Sequence, residues 1–291
     1  MNIRVAALWR YPVKGLRGQP VPAIEVERCG FAGDRRWMVV DPDGRFISQR
    51  ELPVMATISA ELVEDGLVLR TQSDVGMFVA QPSAIDSESI SVTVWRSTVT
   101  AIRAHRVATD WLQTVLGRSC QLVYLANEDA RPVDPEYGQP DDRVSFADGF
   151  PVLLTSMGSL ADLNRHLAIP VPMNRFRPNL VIEHAGAWVE DGWRRVRVGD
   201  VAFRLPKSCS RCVVTSVDQQ SGERPNPHEP LHTLGTFRRS SGGVMFGQNM
   251  IPESFARIAV GDVVTARIAV GDVVTVLETG TPNVPPGEIV V

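Results

Sequence analysis

Lysine is almost missing from this chain. Of 30 basic residues only Lys14 and Lys207 are lysine; the rest are arginine. A GC-rich genome gives the same bias, but the scarcity still matters. A pyridoxal enzyme needs a Schiff-base lysine, and just two positions offer one. Cysteine is scarce too: the four present are irregularly spaced and do not make a disulfide framework. No apolar run approaches the roughly 18 residues of a membrane span. The opening stretch MNIRVAALWRYPVKG lacks a secretory pattern, because Val5–Trp9 is too short an apolar run and no A-x-A site follows. These absences lead us to expect a cytoplasmic protein with no membrane partner. There is no C-x4-C-x2-C run for an iron–sulfur cluster and no G-x-G-x-x-G nucleotide fingerprint, so no internal electron donor is visible. The net charge of −3 argues against a nucleic-acid partner.

What remains is a chain of 291 residues, 44% apolar and 22% charged, of a size for one large or two ordinary domains. Candidate strands fall at 3–9, 20–28, 36–41, 45–49, 55–62, 67–72, 76–80, 90–95 and 98–105, split by turns such as Asp41-Pro42-Asp43-Gly44. Many short strands with such punctuation suggest a barrel or sandwich. A helix follows, capped by Thr109, with Leu112, Val115 and Leu116 on its apolar stripe and Gly117 closing it. Residues 128–147 are rich in proline and acid and read as a linker or a long functional loop. We place a domain boundary at 125/126. The second domain opens on an apolar strand, Phe150–Thr155. A helix follows from Ser159, where Ser159 and Asp162 form a capping-box variant and Leu160, Leu163 and Leu167 share a face. The fold class expected is mainly β (α+β), with domains at 1–125 and 126–279 and a loosely ordered tail at 280–291. Residues 256–265 recur unchanged as 266–275. Strand packing is specific to register, so one copy should fill the native strand and the other bulge out or substitute for it.

The most informative stretch is Lys207–Gly222, where Cys209 and Cys212 lie three apart with Arg211 between them. The β-branched run Val213, Val214, Thr215 and Val217 predicts a strand after the pair. A neighbouring guanidinium favours a thiolate. Four readings stay open: half a zinc site, which normally takes two such pairs; a redox dithiol, which needs a β-α-β setting; two ordinary half-buried cysteines; and a single thiolate ligand to a soft transition metal carried by a cofactor. Elsewhere Lys14-Gly15, Arg35-Arg36, and Arg175 to Asn179 form a dispersed basic constellation. Together these residues suit a polyanion pocket between domains, since arginine binds phosphate through a bidentate fork.

These segments (YPVKG, GDRRWMVVDPDGRFISQR, SLADLN, NRFRPNLVI, VGDVAFRL, CSRCVVTSVDQQSG, FGQN and AVGDVV) resemble the MOSC family with its N-terminal MOSC β-barrel domain. Within it they resemble the amidoxime-reducing branch and its bacterial relatives, which reduce N-hydroxylated compounds. The resemblance runs from about residue 3 to 278. It implies two β-barrel-like modules holding a molybdenum cofactor (molybdenum–molybdopterin) between them, with Cys212 as metal ligand and catalytic residue. It implies cofactor contacts from Lys14, Gly15, Arg35, Arg177, Asn179, Ser210, Arg211 and Asn249. Position 15 is glycine where some relatives carry a hydroxyl, and position 249 is asparagine where an aromatic can occur. The activity implied is two-electron oxo transfer from a small N-OH or N-oxide substrate, with electrons from a separate ferredoxin-like or flavin partner. The alternative implied by other members is sulfur carriage on a cysteine persulfide.

Overall fold

The computed structural model describes residues 2–73, 76–83, 87–254 and 267–284. Among these residues strands dominate, arranged in four sheets with three α-helices. The largest sheet runs in the order Val274–Thr279, Trp193–Val198, Val201–Ser210, Gly243–Pro252, Val152–Ser156, Leu180–Glu183, Arg4–Arg10 and Gln19–Val21. The strands Arg4–Arg10 and Gln19–Val21 therefore extend a sheet whose other strands all come after residue 150. Arg4–Arg10 pairs antiparallel with Leu180–Glu183, Leu8 opposite Leu180. A second sheet orders Ser89–Val94, Ser97–Arg103, Gln121–Tyr124, Trp37–Val40 and Val13–Lys14. The mainly-β class holds, with open sheets where closed barrels were expected.

Alternation builds the main core. Along Val201–Ser210 the inward residues Val201, Phe203 and Leu205 are fully buried while their neighbours are partly exposed, the period of two that a pleated strand imposes. They meet Val196, Leu154 and Ile182 in one apolar cluster. Leu180-Val181-Ile182 is buried at every position because the helix Met157–His166 covers its other face. A separate cluster around Trp37, Met55, Leu67 and Leu112 holds the N-terminal sheets to the helix Arg106–Leu116.

Several sequence expectations shift. The helix expected from Thr109 begins at Arg106, because the His105 side chain accepts from the Val107 amide; Gly117 closes it at φ 60 as expected. The second helix begins at Met157 with Ser156 as its cap. Ser159 instead donates to the buried Glu190 carboxylate at 2.5 Å. In place of a strand at 45–49, Arg45 and Phe46 each make an isolated bridge, to Thr93 and to Val40. Cys209 lies near the end of the preceding strand Val201–Ser210, and the strand expected after the cysteine pair does not form, since Val213–Ser216 is a tight 3-10 turn. Its hydroxyls explain the change: Thr215 Oγ1 donates to the Cys212 carbonyl (3.0 Å) and Ser216 Oγ to that of Val213 (2.7 Å), competing with a ladder.

The second copy of the repeated decapeptide is woven into the fold. Arg267–Ala269 pairs with Ala23–Glu27, Gly271-Asp272 turns, and Val274 starts the strand beside Trp193–Val198. The first copy, and with it the expected bulge, lies outside the described residues. The tail departs from its expected looseness over its first residues: Gly280 donates to Gly192, Asn283 to Asp191, and Val284 is buried. Among the described residues no helix is long and apolar enough to cross a membrane.

Candidate functional site

One cleft gathers Lys14, Gly15, Arg35, Arg177, Asn179, Ser210, Arg211, Cys212 and Asn249, while Arg36 and Arg175 of the basic constellation turn elsewhere, to Leu125 and Glu128 and to Ser216 and Asp218. The cleft residues come from five segments. Lys14 ends the short strand Val13–Lys14, which pairs parallel with Trp37–Val40. Arg35 sits in the turn just before Trp37. Arg177 and Asn179 follow the 3-10 turn Met173–Phe176. Ser210 closes the strand Val201–Ser210, and Asn249 lies on its partner Gly243–Pro252.

The cations are held in unusual ways. Arg35 (φ 50) and Arg177 (φ 53) both adopt the left-handed backbone region, which costs a side-chain-bearing residue about 1–2 kcal/mol. Their guanidinium carbons each lie 4.4 Å from the centre of the same Tyr11 ring. Tyr11 is fixed in turn: its amide donates to Asp34 (2.7 Å) and its hydroxyl to the Pro178 carbonyl (3.0 Å). Arg35 pairs with Asp34 and donates to Asn179 Oδ1 at 3.0 Å. Arg177 donates to Gln219 Oε1 at 3.1 Å. Burial, with Tyr11 opposing and Arg35 adding to it, pulls the Arg177 guanidinium down to about 10. Lys14 is buried and ion-paired to Asp148; burial lowers it and Asp148 opposes that loss. The Trp95 indole donates to the same Asp148 oxygen at 3.0 Å.

Gly15 has φ 85, and a Cβ there would meet the Met55 methyl at 2.9 Å. Glycine at this position is therefore a backbone requirement. Its carbonyl accepts from Gln49 Nε2 at 2.7 Å. Asn179 is committed on three sides, accepting from Arg35 and Leu153 and donating to the Trp9 carbonyl. Asn249 Nδ2 donates to the Ser208 carbonyl (3.2 Å), and Ser210 is exposed at the cleft edge.

The two cysteines divide their surroundings differently from the sequence expectation. Cys212 is exposed on the cleft wall, its carbonyl capping the following turn. The Arg211 guanidinium turns to Cys209 instead, with Nη1 2.8 Å from its sulfur and Nη2 on the Phe176 carbonyl. Among the described residues no three His, Cys, Asp or Glu side chains converge as a metal cage requires. A metal in this cleft would take one protein sulfur and complete its shell from groups that a cofactor brings. The donor set fits that arrangement: an exposed soft thiol beside four cations arranged for an anion.

Several participants carried no sequence signal. Asp148 stands immediately after the acidic stretch 128–147, with nothing to distinguish it from its neighbours. That stretch is a packed loop: the buried Arg131 donates to the Ala147 carbonyl (2.8 Å) and to that of Ser145, fixing the approach to Asp148. Gln49 and Gln219 exchange side-chain hydrogen bonds in both directions, at 2.9 and 3.3 Å, and tie Gly15 to Arg177. Their amides are ordinary in sequence; only the topology brings them within reach.

Family models place these features. The MOSC N-terminal beta barrel domain matches residues 2–119, and the MOSC domain matches residues 141–275. Mitochondrial amidoxime-reducing component 1 of Homo sapiens is 30% identical over 289 residues, covering 89% of this chain and 82% of the relative. The protein of the same name from Xenopus laevis is 30% identical, covering 89% and 81%. Molybdenum cofactor sulfurase of Oryza sativa subsp. japonica is 29% identical over 84% of this chain, which spans 32% of that longer protein. With both models matched in order, and similarity to amidoxime-reducing components along most of its length, this chain belongs to the MOSC family, as a protein with an N-terminal MOSC β-barrel domain followed by a MOSC domain.

Proposed function

We propose that the cleft binds a molybdenum–pterin cofactor through the Cys212 thiolate and that the protein reduces N-hydroxylated compounds. The observation that carries this reading is the convergence of Lys14, Arg35, Arg177 and Arg211 around an exposed cysteine. In this reading Lys14, Arg35 and Arg177 hold the phosphate and pterin, and Gly15 allows the backbone to approach them. Cys212 gives the metal its protein ligand. Arg211, anchored on Cys209 and the Phe176 carbonyl, keeps the loop around it in place. When bound, such a cofactor supplies two-electron oxygen-atom transfer. The net chemistry takes two electrons and two protons: the N–O bond of the substrate breaks, water leaves, and an N–H product remains. The electrons come from a separate ferredoxin-like or flavin protein. The likeness to relatives named as amidoxime-reducing components supports the choice of substrate, since an amidoxime carries an N–OH group.

The test starts with elemental analysis and pterin fluorescence on protein made in a molybdenum-replete host. One molybdenum and one pterin per chain, with reductase activity lost in Cys212→Ser and largely kept in Cys209→Ser, is the expected result. The likeness to a cofactor sulfurase, together with the exposure of Cys212, gives sulfur carriage as the second reading. Stable persulfide on Cys212 with no molybdenum would select it.

A further inference from the structure

Most of the cleft's positive charge is already engaged inside the protein. Lys14 has Asp148, Arg35 has Asp34, Arg177 has Gln219, and Arg211 has Cys209 and a carbonyl. Arg50 differs. It lines the same cleft and is half-buried. Its guanidinium carbon lies 4.7 Å from the centre of the Trp95 ring and 5.5 Å from that of Phe46. Among the described residues its guanidinium has no ion pair and no hydrogen bond; the two rings are its partners.

The aromatic side of this stack is costly to build. Trp95 occupies a turn position between the strands Ser89–Val94 and Ser97–Arg103, with φ 56. Asparagine, aspartate or glycine is the ordinary occupant of such a position, and a large side chain there costs on the order of 1–2 kcal/mol. The ring is also 49% exposed, so burial does not repay that cost. What the conformation achieves is placement. The indole N–H reaches Asp148, the counter-ion of Lys14, while the ring face lies against Arg50. A guanidinium stacked on a ring keeps its N–H edge free for a planar acceptor in two-point contact.

We propose that Arg50, backed by Trp95 and Phe46, is a specificity-determining anchor at the cleft mouth that grips a carboxylate on the substrate. The protein then favours N-hydroxylated compounds carrying such an anionic group over neutral ones. This rests on the reading of the cleft as a reductase site. The same guanidinium chemistry would serve a cofactor phosphate, so the test must separate the two sources.

Benzamidoxime and 4-carboxybenzamidoxime are compared on the cofactor-loaded protein with a reduced viologen dye as donor. In the wild type, kcat/KM for the carboxylate compound exceeds that for the neutral one. Arg50→Ala lowers the ratio of the two by about tenfold or more, the loss of a charge-assisted contact. Arg50→Lys recovers part of it, having charge without the fork. Trp95→Asn, which suits the backbone better but removes the ring, gives an intermediate ratio. Molybdenum and pterin content stay at the wild-type level in all three. A ratio that stays within twofold in Arg50→Ala overturns the proposal. So does loss of pterin in that variant, which would assign the guanidinium to the cofactor. If the wild type reduces neither compound, the reductase reading fails by itself. Calorimetric titration of benzoate into wild type and Arg50→Ala then still decides the anchor, and equal affinity sinks it.

Discussion

Asn179 offers the sharpest test of how the cleft is held together, because it has a large number of tasks for one amide. It is 1% exposed. Its Oδ1 accepts from Arg35 at 3.0 Å and from the Leu153 amide at 3.2 Å, and its Nδ2 donates to the Trp9 carbonyl at 3.3 Å. Asn179→Ala removes all three. A neutral hydrogen bond contributes about 1 kcal/mol and one to a charged group about 1.5–3, and a buried group left without a partner costs about 1–3. Arg35 keeps Asp34 and the Arg177 carbonyl, so its share falls at the low end. The expected loss is about 3–4 kcal/mol, a large part of the roughly 5–15 kcal/mol that holds a native protein together. With a urea m-value of about 3 kcal/mol/M, the unfolding midpoint falls by about 1 M. The assay is urea unfolding followed by circular dichroism on protein without cofactor. A shift below about 0.2 M would mean that the amide is idle in the folded chain and free for a ligand, and would refute this account of its role.

The remaining predictions concern other buried groups. In native protein at neutral pH an aromatic disulfide reagent should titrate two thiols quickly, Cys209 and Cys212. Cys29 and Cys120 are buried, and burial pushes both up to about 11; they should react only on unfolding, and a third fast thiol would contradict the structure. Burial raises Glu190 from 4.5 to about 7, against hydrogen bonds from Ser159 and the backbone. The native state therefore holds a proton that the unfolded chain has released. Stability from this group is complete below about pH 4.5 and is lost as pH rises to about 7, a total of roughly 3 kcal/mol. Glu190→Gln should flatten that slope in unfolding measured from pH 5 to 7.5, and an unchanged slope would rule this group out as its source. Asp191 and Arg238 form an ion pair at 2.6 Å, with side chains 3% and 4% exposed. Asp191→Ala alone should cost about 3–5 kcal/mol, whereas Asp191→Leu with Arg238→Met should recover most of it in the same assay; a double variant as unstable as the single would refute this.

How much of this could be read from the chain depends on the range of each interaction. Short strands announced by turn residues were legible: Ser89–Val94 and Ser97–Arg103 fall within a residue or two of the candidate strands at 90–95 and 98–105. So were most of the dispersed basic motifs: the topology brings Lys14, Arg35 and Arg177 to one cleft, though not Arg36 or Arg175. The strand expected over Val213–Val217 does not form, because valine and threonine favour strands in general, whereas at Thr215 and Ser216 a local hydroxyl bond decides the backbone. Asp148, Trp95 and the Gln49–Gln219 pair were not legible. Their partners lie 134, 53 and 170 residues away, and no local pattern encodes a pairing at that distance. The Arg211–Cys209 contact is local, yet the spacing did not foretell it. Both cysteines flank the arginine, and the choice is made by the Phe176 carbonyl, which draws the guanidinium to the Cys209 side.

The arrangement around Tyr11 connects these observations to function. Two arginines hold left-handed backbone conformations, and both guanidinium groups approach one ring at 4.4 Å. Burial raises Tyr11 to about 12, so the ring is neutral and offers only its π face. Gly18 lies so close that a Cβ there would be 2.3 Å from the ring. Three segments thus lock a single tyrosine, and the tyrosine locks two like charges near each other. The contacts of these arginines with Asp34, Asn179 and Gln219 are offset during folding by backbone strain and by partial desolvation of the cations. An anion entering the cleft gains from all of it, since the donors are already oriented and their rearrangement was completed when the chain folded. On the cofactor reading proposed above, that cost is recovered when the anion binds, and this would place the strained arginines and the exposed thiol of Cys212 on one wall.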